Sequence, residues 1–190
     1  NLLSNLLSIF LEFGGSYHLF EYNTLEYLNN QNFMFLFGNH QYIRRNLYRH
    51  GNSVSTGGTP HPDFVQTFGD NLGESYNMVL EQNWIQDLEA QLGQINSGGA
   101  PTGILDSIHD WTFRRNVFAN VAFNMNIGMP GVRIENNTFY RMAYGADQHG
   151  ISNGGSLSRG EVSRGTLINN AFIDGGPGAN PKGDKGYYSF

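Results

Sequence analysis

The sequence predicts an all-β fold, a single domain built as a parallel β-solenoid, and three observations lead to that prediction. A short phrase centred on an asparagine recurs six times along the 190 residues. The charge beside that asparagine alternates in sign from one occurrence to the next. The chain also contains 25 glycines and many asparagines, a composition that favours turns over long helices.

The repeated phrase has three fixed positions. An apolar residue stands three positions before an asparagine and another stands two positions after it, as in "IENNTF". In a solenoid these apolar residues would point into a continuous core, and each coil would stack on the last at about 4.8 Å. Asparagine tolerates the left-handed backbone of a bend, and stacked amides can hydrogen-bond from coil to coil. The anchoring asparagines are Asn23, Asn46, Asn83, Asn116, Asn137 and Asn170.

The residues two positions before the first five anchors alternate in charge. In a parallel stack they become neighbours on the outer face, where opposite charges attract. The alternation therefore predicts an outward charge ladder, and it favours a structural role for its two arginines over substrate binding. The members are Glu21, Arg44, Glu81, Arg114 and Glu135.

The two ends of the chain predict caps on the solenoid. Over residues 1–13, polar residues recur at helical spacing opposite leucine and phenylalanine, and two glycines follow. This pattern favours an amphipathic capping helix within 1–15, with an extra irregular coil as the alternative. The coils would occupy 16–175. No repeat matches in 176–190, which would be an irregular cap or a truncation point.

The composition narrows the function. A formal net charge of −5 argues against non-specific nucleic-acid binding. The absence of cysteine excludes disulfides and thiolate metal sites. No apolar run is long enough to span a membrane, so we expect no membrane partner. The first residue is not methionine, which suggests a processed chain or a fragment, and the oligomeric state does not follow from the sequence.

The segments "IRRN", "FRRN", "IENNTF" and "LINNAF" resemble the parallel β-helix proteins of the pectate-lyase-like superfamily over residues 16–175. The repeat predicts about six coils, and the resemblance implies a right-handed parallel β-helix with an exposed strand face that lines a carbohydrate groove. We therefore expect an extracellular or cell-surface protein whose partner is a polysaccharide. One such fold hosts many functions, so the reaction needs its own evidence.

The candidate catalytic residues come from two segments. In "HPDFVQ", His61 and Asp63 place an imidazole beside a carboxylate, a pair suited to proton transfer. The alternative is a loop histidine and an aspartate that satisfies backbone amides at the start of a strand. "QHGIS" resembles part of the Gly-His-Gly segment of polygalacturonase-type glycoside hydrolases, and this resemblance implies a catalytic role for His149.

A register argument gives the expected geometry of that site. When Val65 and Ile151 are aligned as inward residues, Asp63 comes level with His149 in one groove, with His61 at its rim. Three further polar residues are expected to bind the substrate: Gln66, Asp106 and His109.

Two reactions and one rival function remain open. Inverting hydrolysis needs two carboxyl groups, which Asp63 with Asp106 or Asp110 would supply. A polysaccharide lyase needs a base and a cation beside a uronate carboxylate. The segment "GDNLGE" could bind calcium, although a plain turn is the stronger interpretation, and no other metal or cofactor is expected. The rival to an enzyme is a non-catalytic fibre, adhesin or surface module in which the β-helix is a rigid rod.

Overall fold

The computed structural model describes residues 1–4, 11–29, 32–52, 63–68, 74–96, 108–128, 130–141, 151–152, 165–173 and 188–189. Every regular element in these ranges is a β-strand. All the strand pairs among them are parallel. The chain is therefore all-β, with parallel strands in stacked sheets, as the repeat predicts. The described residues include no helix that could cross a membrane.

Most strands are short, and the two long ones are Trp84–Asn96 and Val117–Gly128. In chain order they are β1 (Leu2–Ser4), β2 (Leu11–Phe13), β3 (Leu19–Glu21), β4 (Thr24–Asn29), β5 (Met34–Leu36), β6 (Gly38–Asn39), β7 (Tyr42–Arg44), β8 (Leu47–Asn52), β9 (Val65–Phe68), β10 (Ser75–Tyr76), β11 (Val79–Glu81), β12 (Trp84–Asn96), β13 (Ile108–His109), β14 (Thr112–Arg114), β15 (Val117–Gly128), β16 (Arg133–Glu135), β17 (Thr138–Tyr140), β18 (Ile151–Ser152), β19 (Thr166–Ile168), β20 (Ala171–Ile173) and β21 (Tyr188–Ser189).

Three sheets surround the core. Sheet 1 contains the row β1-β4-β8-β12-β15-β17-β20, sheet 2 the row β3-β7-β11-β14-β16-β19, and sheet 3 the row β6-β10-β13. The strands before and after each anchoring asparagine belong to sheets 2 and 1, so each anchor lies at the corner between them. A second row of sheet 1, called the far row, joins β2, β5, β9, the ends of β12 and β15, β18 and β21. This arrangement fits a parallel β-helix.

The corners are made by residues with left-handed backbone. These residues lie five positions apart within a coil, as in Tyr17, Tyr22 and Tyr27, with φ of 62°, 57° and 58°. The middle one stands directly before the anchor. The expectation that the anchoring asparagine itself takes this conformation is therefore wrong. The side chain of the anchor, and not its φ, is what the corner requires.

The apolar positions of the repeat form the core. The residues three before and two after the anchors are fully buried through the central coils, as predicted. Phe118 stacks on Phe139 with ring centroids 5.0 Å apart, and Phe139 stacks on Phe172 at 4.8 Å. Each buried aliphatic or aromatic side chain of this kind stabilises the fold by about 1.5–3 kcal/mol. The buried members are Leu25, Ile43, Tyr48, Leu80, Ile85, Phe113, Phe118, Ile134 and Phe139.

The anchoring asparagines hydrogen-bond to each other along the stack, which confirms the predicted asparagine ladder. The backbone N–H and the Nδ2 of each anchor donate to Oδ1 of the next, as Asn83 does to Asn116 at 2.9 and 3.1 Å. The same Nδ2 also donates back to a carbonyl of the preceding coil, as Asn83 does to Ile43 at 2.8 Å. Asn1 extends the row, because its Nδ2 donates to Asn23 Oδ1 at 2.9 Å. The sequence begins at Asn1, so the apolar position three residues earlier was not available to identify it by the repeat pattern.

The charge ladder is present on the outer face. Arg44 Nε lies 2.7 Å from Glu21, and Glu81 lies 3.9 Å from Arg44 and 2.7 Å from Arg114. The hydrogen bond that Arg44 donates to Glu21 raises the pKa of Arg44 above its ordinary value. Glu135 is in register with Arg114, as predicted, but its carboxylate accepts a hydrogen bond from the Arg133 guanidinium at 3.0 Å.

The capping helix predicted within 1–15 is wrong where the structure describes those residues. Leu2–Ser4 and Leu11–Phe13 are strands that pair in parallel with β4 and β5. Leu3 and Phe13 pack against the core, so tertiary pairing outweighs the local helical spacing. The alternative of an additional coil agrees with these strands, while residues 5–10 lie outside the described part. At the other end, Tyr188–Ser189 forms a strand paired with β18 inside the predicted irregular cap.

Candidate functional site

The predicted register between the two catalytic segments is present in the far row. Val65 pairs with Gly93, Gly93 with Met125, and Met125 with Ile151. Val65 and Ile151 therefore lie on one line across the strands, separated by two others. His61, Asp106 and His149 lie outside the described residues, and their roles stay predictions.

Asp63 and Gln66 do not face an open groove, contrary to the prediction. Asp63 is 0% exposed and Gln66 is 3% exposed. The backbone N–H of Asp63 donates to Asn32 Oδ1 at 2.7 Å, and Asn32 Nδ2 donates to Gln66 Oε1. The backbone N–H of Phe33 donates to the Asp63 carbonyl at 2.9 Å. These contacts attach the start of β9 to the preceding coil, which favours the structural interpretation of this segment.

His109 is the predicted site residue that the structure places on an accessible surface. It ends β13 in sheet 3, and its Nδ1 lies 2.7 Å from Asp110 Oδ2. The two side chains are 32% and 55% exposed. When Nδ1–H donates to the carboxylate, Nε2 is left to accept a proton.

The ring of His109 belongs to a column that crosses four coils. It stacks on Tyr76 with centroids 4.9 Å apart and an interplanar angle of 11°. Tyr76 meets His40 edge-on at 5.9 Å, and His40 stacks on Tyr17 at 4.9 Å. Tyrosine and histidine therefore alternate along one corner. We call Tyr17, His40, Tyr76 and His109 the ring column.

Amides orient the middle of the ring column. His40 Nδ1 lies 2.8 Å from Asn39 Oδ1, and Asn77 Nδ2 lies 3.3 Å from His40 Nε2. An amide N–H directed at Nε2 requires that nitrogen to accept, so the proton resides on Nδ1 and is donated to Asn39. His40 is thereby held in one tautomer, with both ring nitrogens occupied. His109 differs from His40, because the described hydrogen bond of its ring involves Nδ1 and not Nε2.

Backbone geometry fixes the carboxylate at the end of the column. Asp110 has a φ of 55°, and its N–H donates to the Pro130 carbonyl at 3.0 Å. The next coil has Gly131 at the equivalent corner, with a φ of 73°. A Cβ on Gly131 would lie 1.9 Å from Asp110 Oδ1. Only glycine leaves the space that the carboxylate fills.

Sequence reasoning found His109 and Asp110 but missed the other rings. The rings lie six or seven residues before their anchors, outside the apolar-and-asparagine phrase used to find the repeat. The available signal was a tyrosine or histidine at that distance from each of the first four anchors.

Three further aromatic side chains that could stack on a sugar differ in exposure. Trp111 is fully buried, and its Nε1 donates to the Ser75 carbonyl at 2.9 Å. Tyr140 is half-buried under Arg141, whose guanidinium carbon lies 5.1 Å from the ring centroid. Trp84 is 49% exposed on sheet 1. Among the described residues, no group of three or more histidine, aspartate or glutamate side chains could hold a metal ion.

Comparisons with known proteins add no relative. No family model, no curated protein and no solved structure matches this chain.

Proposed function

We propose that this protein is an extracellular carbohydrate-active protein, built as a right-handed parallel β-helix of about six coils. The observation that carries the proposal is the ring column, a continuous row of aromatic and imidazole rings along one corner. The parallel sheets and the buried asparagine network support the architecture. The coil count rests on the repeat, and the handedness and the location rest on the sequence resemblance.

The ring column is suited to a sugar chain. Tyr17 stacks face to face on His40, and Tyr76 on His109, so the column turns ring edges outward. Tyrosine hydroxyls and imidazole nitrogens at those edges can hydrogen-bond to sugar hydroxyls. Successive coils are about 4.8 Å apart, close to the length of one sugar unit in an extended chain. Tyr17 is 76% exposed at the start of the column. Asn39, Asn77 and Asp110 supply amide and carboxylate groups beside the rings for sugar hydroxyls.

The His109–Asp110 pair is suited to proton abstraction. A carboxylate on Nδ1 stabilises the imidazolium that forms when Nε2 takes a proton. Elimination next to a uronate carboxylate needs one such base, whereas inverting hydrolysis needs two carboxyl groups on opposite sides of the bond. Among the described hydrogen bonds of the column, one involves a carboxylate, that of Asp110. Of the two reactions, the described residues therefore favour elimination, although they place no neutralising cation beside the column.

Binding of the whole chain to immobilised neutral and uronic polysaccharides tests this proposal. We expect Tyr76→Ala and His109→Ala each to weaken binding by about tenfold, since the loss of a hydrogen-bonding ring edge costs on the order of 1 kcal/mol. Tyr42→Ala is the matched control, because Tyr42 is 43% exposed in sheet 2, away from the column. Equal affinity of wild type and Tyr76→Ala would contradict the proposal. Both reactions create new reducing ends, but only elimination also creates unsaturated products that absorb in the ultraviolet. Reducing ends without such products indicate hydrolysis.

A non-catalytic rod is the second candidate function. The asparagine ladder continues from Asn1 to Asn170, and the charge ladder occupies much of the outer face of sheet 2. Contacts that run along the whole stack are what a rigid rod requires. Failure of the chain to bind any polysaccharide in the panel, or binding without formation of a product, would support the rod function over catalysis.

A further inference from the structure

A second exposed row lies at the corner between sheets 2 and 1. Its residues stand directly before the anchors, with left-handed backbone, and every one of them is exposed. We call them the arginine row: Tyr22, Arg45, Gln82, Arg115, Asn136 and Asn169. This corner is separate from the ring column, which lies at the corner that follows sheet 3.

The arginines of this row differ in pairing from the arginines that precede them. Arg44 and Arg114 form ion pairs with Glu21 and Glu81 in the charge ladder. Arg45 Nε instead donates to Gln82 Oε1 at 3.0 Å, and its Nη1 donates to the hydroxyl of Tyr22 at 2.7 Å, both neutral groups. Within the described residues, neither Arg45 nor Arg115 forms an ion pair with a carboxylate. The corner therefore presents two uncompensated positive charges.

The spacing of these charges is fixed by the coils. The strand that ends at Glu81 pairs with that of Arg44 on one side and that of Arg114 on the other, so Arg45 and Arg115 are two coils apart. Two coil steps are about 9.6 Å, close to a disaccharide unit of an extended polysaccharide. Arg45 is also held in position by Tyr22, whose ring centroid lies 5.5 Å from its guanidinium carbon. Less side-chain entropy is lost when such a group binds a ligand.

An exposed tryptophan lies beside the gap between the two charges. The side chain of Asn83 points into the core, so Gln82 and Trp84 are consecutive outward residues of the middle coil. Trp84 is flanked in register by Leu47 and Val117 on sheet 1. An indole face can stack on a pyranose ring, and guanidinium groups bind carboxylate or sulfate through paired N–H donors.

We propose that Arg45, Trp84 and Arg115 form a binding site for a linear polysaccharide that has one anionic group per disaccharide. The proposal rests on the proposed function for the general class of ligand, but it places the anionic chain at a different corner. The negative charge of the whole chain, −5, would repel such a polymer elsewhere on the surface. The unpaired arginines therefore determine where it binds.

The test measures the affinity of the full chain for hyaluronate, an alternating uronate polymer, and for its carboxyl-reduced form. We expect Arg45→Gln and Arg115→Gln each to weaken hyaluronate binding by roughly tenfold, and Trp84→Ala to weaken it similarly. The affinity for hyaluronate should also fall with added salt, less steeply in the arginine variants. Glutamine suits this corner, since Gln82 has the same φ of 55° as Arg45 and Arg115. Unchanged thermal unfolding verifies that the variants are folded.

Arg133→Gln is the matched control, because it removes an exposed arginine that is paired with Glu135 on sheet 2. Retained binding in this control, together with loss in the two arginine-row variants, supports the site. Equal loss in all three variants, or equal binding of the carboxyl-reduced polymer, overturns it. Tyr76→Ala separates the two proposals. If that variant binds every polysaccharide as wild type does, while Arg45→Gln loses hyaluronate, the ring column is not a sugar site and the arginine row is.

Discussion

Asp110 Oδ1 lies only 1.9 Å from the position that a Cβ on Gly131 would take, so the carboxylate fills that space. The same carboxylate holds His109 at 2.7 Å. A glycine in one coil thus sets the orientation of the imidazole in the coil before it.

We predict that Gly131→Ala will destabilise the fold by about 1–3 kcal/mol and will displace Asp110 from His109. The left-handed φ of 73° is unfavourable for alanine, and the added Cβ overlaps the carboxylate oxygen. Urea unfolding measures the stability, and the NMR chemical shifts of the His109 ring report on the loss of its partner. Gly14→Ala is the matched control, because nothing lies within 4 Å of the Cβ that it would add. Equal stabilities of the two variants would refute the overlap.

We predict that Asn83→Ala will lower the free energy of unfolding by about 2–5 kcal/mol. The change removes the acceptor for Asn46 N–H and leaves the Ile43 carbonyl without its side-chain donor, both in buried surroundings. Asn1→Ala should cost much less, since Asn1 bonds to only one neighbouring anchor. Denaturant unfolding of both variants measures the difference. A cost at Asn83 no larger than at Asn1 would show that the ladder adds little to stability.

We predict that Glu81→Gln will destabilise the fold by about 1 kcal/mol at low ionic strength and by less in high salt. Glu81 lies between Arg44 and Arg114, and its side chain is 10% exposed. Glu12→Gln is the control, because Glu12 is exposed on β2, outside the charge ladder. Unfolding at two salt concentrations provides the measurement. A salt-independent difference between the variants would argue against a role for charge.

We predict that Tyr48→Phe will leave stability nearly unchanged at neutral pH and will remove a loss of stability above about pH 10. Burial raises the pKa of Tyr48 well above its ordinary value of 10.0. The unfolded chain therefore loses this proton at a lower pH than the folded chain does, so stability falls as the pH rises past the unfolded pKa. The hydroxyl contacts only a weak acceptor, Met34 Sδ at 3.3 Å, so its removal costs little.

Unfolding of wild type and Tyr48→Phe at pH 8 and pH 11 provides the measurement, because the tyrosine is neutral in both states at the lower pH. Parallel losses of stability in the two proteins between these values would rule out Tyr48 as the source.

The frame of this fold is predictable from sequence because a parallel stack repeats the same contacts in every coil. Asn83 and Asn116 make the same hydrogen bonds one coil apart, so each coil needs an asparagine at this position. The positions of these asparagines therefore predict the strand register. The left-handed corners were harder to locate, because Tyr22 and Arg45 carry no conformational signal of the kind that glycine does. The first strands were mistaken for a helix because three-residue strands such as Leu2–Ser4 are too short to show a period of two.

The candidate site was less predictable because it depends on what covers each strand. Asp63 and Gln66 stand in a segment with several polar residues, which suggested an open face, yet both are buried. Alternation along one strand cannot indicate whether another segment packs over its outer side. His109 was identified from its chemistry alone, and its stacking partner Tyr76 is thirty-three residues earlier, the distance between two anchors.

The hydrogen bond between consecutive anchors is the same whatever length of chain separates them. Asn116 N–H donates to Asn137 across 21 residues at 2.9 Å, and Asn46 N–H donates to Asn83 across 37 residues at 3.0 Å. Lengthening a connection therefore changes the frame little, since doubling a flexible loop costs only about 0.6 kcal/mol. Connections between anchors can be lengthened, shortened or exchanged between coils as separate units. New surface chemistry can thus be acquired one coil at a time, without a new fold.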